Sequence, residues 1–101
     1  MEDFRVLLIA NCVDRPHSED KRKENRPAHL AYLSGLGARV KIGGAILGPD
    51  HQTPVGSMVI FEGDSEDDIL ALVAKDPFSI AGLFETVSVK PWRQGVGQAL
   101  T

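Results

Sequence analysis

The chain has 101 residues, 43% of them hydrophobic and 25% charged, and its 11 basic and 14 acidic side chains leave a formal net charge of −3. That length supports one domain, and the acidic balance argues against a broad nucleic-acid groove or a surface for anionic membranes. One cysteine, Cys12, excludes an intrachain disulfide and a cysteine-rich zinc site. No apolar run approaches the about 20 residues of a membrane span. The N-terminus lacks the basic flank of a secretory signal, so the expectation is a soluble, cytoplasmic protein.

Phe4 to Cys12 (FRVLLIANC) is a short apolar run with the character of a buried strand. Ser18 is placed to cap a helix that runs to about Leu36, where Gly35 and Gly37 supply the stop. Pro27 falls inside this stretch and predicts a kink or a restart. The opening SEDKRKENR mixes both signs and reads as a solvated helix face, with Glu19 four residues before Lys23 in the favourable order.

Arg39 to Leu47 alternates like a strand and contains Gly43-Gly44, either a bulge or a place where a ligand approaches the backbone. A loop with Gly48, Pro49, Asp50 and Pro54 follows, then a strand from Gly56 to Gly63. Ser65 to Asp68 resembles a capping box and opens a helix with Ile69, Leu72 and Val73 on one face. Asp76-Pro77 suits the start of a second short helix, and Phe84 to Lys90 alternates as the fourth strand. Residues 94–101 form a tail.

The order βαββαβ is that of the ferredoxin-like fold, an α+β class with a four-stranded antiparallel sheet. Strands one and three are apolar on both faces, as central strands must be, whereas strands two and four carry Lys41, Thr86, Ser88 or Lys90 on one side. Two helices cover only one face of such a sheet. The other face is then an apolar interaction surface, and self-association into a homodimer is the simplest way to bury it.

Few residues suggest chemistry. The tail Gly95-Val96-Gly97-Gln98-Ala99-Leu100 lacks the third glycine of a dinucleotide fingerprint and the helix that should follow it. His17, His29, His51 and Cys12 have no metal-ligand spacing. His29 precedes Leu33 by four positions and Leu36 by seven, so it lies on the apolar stripe of its helix, where a histidine needs a hydrogen-bond partner. Asp76 reads by default as the cap of the turn that follows it.

Taken together, Arg26-Pro27-Ala28-His29-Leu30, Gly43-Gly44-Ala45, Gly56-Ser57-Met58-Val59-Ile60, Asp76-Pro77-Phe78 and Val87-Ser88-Val89-Lys90-Pro91-Trp92 resemble the YciI-like (YCII-related) family. The likeness runs in order over about residues 4–93. It implies one ferredoxin-like domain paired into a dimeric α+β barrel, and a site built on the histidine of RPAHL and the aspartate of DPF, His29 and Asp76. Ser57 is a weaker carry-over. Arg26, about one turn before His29, suits an anionic or phenolate group, and Gly44 and Phe78 complete the substrate-binding candidates. An Asp paired with a His fixes the imidazole tautomer and makes a general base. With no activated thiol, metal cage or phosphate loop beside it, and no cofactor implied, the expected chemistry is proton transfer on a small cyclic or aromatic substrate by elimination or isomerisation. Within the family, that points to dehydrochlorination of a chlorinated hydroxyhydroquinone in aromatic degradation. The alternative is a non-catalytic homodimeric module that binds a small molecule or a protein. The two readings part on whether His29 and Asp76 meet at a cavity.

Overall fold

The computed structural model describes residues 6–100; the predicted start of the first strand at Phe4 lies outside them. Four strands, β1 (Val6–Asp14), β2 (Val40–Leu47), β3 (Pro54–Gly63) and β4 (Phe84–Trp92), form one sheet in the order β2-β3-β1-β4 with every neighbouring pair antiparallel. Helices α1 (Glu19–Gly35), α2 (Glu66–Ala74) and the single turn α3 (Pro77–Ile80) complete the ferredoxin-like α+β fold. The doubly apolar strands β1 and β3 are the central pair, and Pro91 is accommodated because β4 is an edge strand.

The register assigns each residue to a face. Leu8, Ala10 and Cys12 of β1 and Val59 and Phe61 of β3 form the core with Ile69 and Val73 of α2. Leu7 and Ile9 of β1, Met58 and Ile60 of β3 and Ile42 of β2 take the alternate positions and lie on the other face. Gly56 is obligatory in the central pair, since a Cβ there would stand 2.5 Å from the carbonyl oxygen of Cys12.

Two local expectations about α1 are corrected. Pro27 does not restart the helix, which is continuous from Glu19 to Gly35. Both Pro27 and Lys23, whose carbonyl loses its usual partner, are exposed, so water can take that bond. Ser18 makes no side-chain cap; its hydroxyl donates to the Pro16 carbonyl, while His17 turns the chain at φ 59°. The other two caps form as read: Ser65 Oγ accepts from Asp68 N, and the Asp76 carboxylate accepts from Phe78 N. Gly37, at φ 60°, takes the chain out of α1. No described helix is long and apolar enough to cross a membrane.

Candidate functional site

Residues Arg22, Arg26, His29 and Leu33 are spaced by four, three and four positions, so one stripe of α1 carries them all. That stripe faces Gly43, Gly44 and Ala45 of β2 and Ser57 and Val59 of β3 across a cavity of about 190 Å³. Ala45, paired with Ser57 on the cavity side of β2, leaves the space open by its small side chain, while Gly44, opposite Met58, turns toward the other face. Gly43 is tight, its would-be Cβ 3.1 Å from Val59, and the irregularities of the β2–β3 ladder flank the glycine pair at Val40/Ile42 and Ile46/Leu47.

His29 and Asp76, 47 residues apart in sequence, meet in the interior. The Nδ1–H of His29 donates to both carboxylate oxygens of Asp76 at 2.8 Å, with both residues under a tenth exposed. Asp76 Oδ1 also accepts from Phe78 N at 2.9 Å, so the helix cap and the histidine contact share one carboxylate. A carboxylate only accepts, which assigns a proton to Nδ1, so in the neutral ring the lone pair is on Nε2. Among the described residues Nε2 has no hydrogen-bond partner, yet no buried polar side-chain atom is unsatisfied; this nitrogen is therefore reachable from the cavity that His29 lines.

Phe78 is fully buried and does not line the cavity. Its ring stacks on the imidazole with centroids 3.9 Å apart and planes 13° from parallel, holding the orientation that Asp76 sets. Tyr32 ties α1 to α2 by donating to the Leu72 carbonyl at 2.6 Å, and burial raises its pKa, which keeps the hydroxyl a donor.

Arg22 is the residue the charge pattern concealed. It is 5% exposed and lies inside the solvated-looking run. Its Nε and Nη2 donate to the two oxygens of Asp14 at 2.7 and 2.9 Å, Nη2 also donates to Ser57 Oγ at 2.8 Å, and Cζ stands 4.7 Å from the Phe78 centroid. Its helical distance of seven residues from His29 was the available signal; Asp14, at the end of β1, offered none. Ser57, 4% exposed, accepts from Arg22 and so keeps its own proton to donate. Arg26, on the same stripe as His29 but itself exposed, lines the cavity at its rim.

The remaining candidates stay away from the reactive position. Burial, then the charges of Asp76 and Asp14, push the Cys12 thiol up to about 12 against the pull of Arg22, so it is an inert core thiol. Among the described residues no three His, Cys, Asp or Glu side chains come together as metal ligands. Buried donors, a histidine with one nitrogen tied and one open, and a small cavity make an arrangement able to exchange a proton at Nε2.

Known proteins resemble this chain over most of its length. The protein YciI of Escherichia coli is 35% identical over 96 residues, covering 88% of this chain and 98% of that one. The structure of the 5-chloro-2-hydroxyhydroquinone dehydrochlorinase TftG from Burkholderia phenoliruptrix AC1100, in complex with 2,5-dihydroxybenzoquinone, is 39% identical with a TM-score of 0.79 and covers 88% of this chain and 95% of its own. A putative antibiotic biosynthesis monooxygenase from Bacteroides thetaiotaomicron shares the fold alone, with a TM-score of 0.55 at 9% identity, covering 94% of this chain and 96% of its own. Residues 6–93 match the model of the YCII-related domain, and the chain belongs to that family.

Proposed function

We propose that this protein is a small enzyme in which His29 is the general base and Asp76 the residue that orients it, acting on a hydroxylated ring by elimination or isomerisation. One observation carries the reading: the buried Asp76–His29 pair leaves Nε2 open toward a cavity that Arg22-held Ser57 also lines. A module that only binds has no need to spend a carboxylate on selecting an imidazole tautomer. The likeness to TftG makes a chlorinated hydroxyhydroquinone the first substrate class to assay.

The chemistry balances without an oxidant. Nε2 accepts a ring hydroxyl proton, and the phenolate ketonises by taking a proton on the chlorine-bearing carbon. Loss of a second hydroxyl proton, para to the new carbonyl, expels chloride. The net change is loss of one proton and one chloride, and the ring leaves as a hydroxybenzoquinone. Ser57 donates to the oxygen that gains charge, and Arg22 supports that donation. Two chains associate through the sheet face of Ile9, Ile42 and Met58, leaving the helix side free.

The test is chloride release from 5-chloro-2-hydroxyhydroquinone by the wild type and by His29→Gln. The wild type should turn over, and the variant should fold yet lose about 10²-fold or more of the rate. A His29→Gln protein that retains wild-type turnover per folded molecule overturns the assignment of the base.

A further inference from the structure

A second, larger cavity of about 450 Å³ opens beside the first, and the two share Arg22, Arg26 and Ala45 as a common wall. Its charges are arranged unlike those of the chain as a whole, whose net charge is −3. Three cations line it, Arg22, Lys23 and Arg26, against the single carboxylate of Glu19. Arg22 is consumed by Asp14 and Ser57. Lys23 and Arg26 form no ion pair or hydrogen bond among the described residues, and the Glu19–Lys23 pair expected from helical spacing is not made.

The far wall is built to hold still. Asp50 accepts from the backbone N–H groups of Gln52 and Thr53, both at 2.9 Å, and from the Thr53 hydroxyl. These bonds bring the Asp50 pKa down to about 2. They engage this carboxylate within its own turn, so it does not line the cavity, while Gln52 and Thr53 do.

We propose that this outer cavity is a second subsite that takes a carboxylate carried by the ring substrate, with Lys23 and Arg26 as its counter-charges. The placement of the ring beside His29 rests on the function proposed above; the charge selection does not. A ring in the inner cavity lies under the His29 turn of α1, and a carboxylate arm reaching toward the N-terminus of α1 meets Arg26 one turn away and Lys23 almost one turn further. Arg26 belongs to both cavities and therefore ties the position of the arm to that of the ring.

The experiment compares two rings that differ only in the carboxylate, 2,5-dihydroxybenzoate and 1,4-dihydroxybenzene, by calorimetric or NMR titration at low salt. The carboxylated ring should bind the wild type at least about tenfold more tightly, the ratio expected of one charge-assisted hydrogen bond. In the double variant Lys23→Gln/Arg26→Gln the ratio should fall to near one, and in the wild type it should shrink as salt is raised. A wild-type ratio near one, a ratio unchanged in the double variant, or no binding of either ring overturns the subsite. His29→Gln separates the two proposals: the carboxylate preference should survive in it. Turnover by that variant would remove the base and leave the subsite standing, whereas a lost charge ratio beside His29-dependent turnover does the reverse.

Discussion

Replacing Asp76 by Asn removes one charge and changes no volume, yet neither orientation of the amide does all that the carboxylate does. The carboxylate accepts three times, twice from His29 Nδ1 at 2.8 Å and once from Phe78 N at 2.9 Å. An Asn has one accepting oxygen. If that oxygen keeps the Phe78 cap, its NH2 faces Nδ1 and selects the tautomer with the proton on Nε2, where the base must be free. If it turns toward His29, the Phe78 N–H meets a donor inside the protein. The second arrangement strands a buried polar group, at about 1–3 kcal/mol. For a domain of about 100 residues that lowers Tm by roughly 4–20 °C. The first arrangement keeps both contacts paired and instead costs turnover by about 10²–10⁴-fold. Asp76→Ser serves as the control, because serine keeps an N-cap but is too short to replace a carboxylate between Phe78 N and His29. Thermal melts and chloride release per folded molecule are to be read on both variants. Full specific activity in Asp76→Asn would reduce Asp76 to a helix cap and refute the reasoning.

Four further outcomes are expected. Arg22→Gln leaves Asp14 buried without its counter-charge and should cost about 3–5 kcal/mol by denaturant titration; a loss under 1 kcal/mol would mean that Asp14 finds water. Ile9→Asp, on the open sheet face, should shift a wild-type dimer toward monomer in light scattering, and a wild type that is monomeric at micromolar concentration would end the dimer proposal. Cys12 should resist iodoacetamide at pH 8 until the protein unfolds. Because burial holds its folded pKa above the ordinary thiol value, its contribution is complete below that value and declines as pH rises toward about 12, a loss that Cys12→Ala should flatten. Gly56→Ala should separate β1 from β3 and destabilise by about 1–3 kcal/mol, since the new Cβ meets the Cys12 carbonyl, a backbone atom that cannot step aside.

Local rules decided the elements. Two-sided apolarity marked β1 and β3 as central, and the Ser65 and Asp76 caps lay where short polar side chains precede helical runs. Motif resemblance singled out His29 and Asp76, although nothing local to either residue states that they touch. Three conclusions needed the tertiary structure. Pro27 looked like a break because sequence periodicity does not show which side of a helix water can reach. Arg22 looked solvated because its neighbours are charged, and only the closing of α1 over the end of β1 supplied Asp14 and Ser57 as partners. Phe78 was expected beside a ligand and instead lies beneath the imidazole, stacked on its face. Hydrophobic period and capping act over a few residues and can be read along the chain. A buried charge is tolerated only where distant segments bring its partners, and those meetings exist only once the chain has folded.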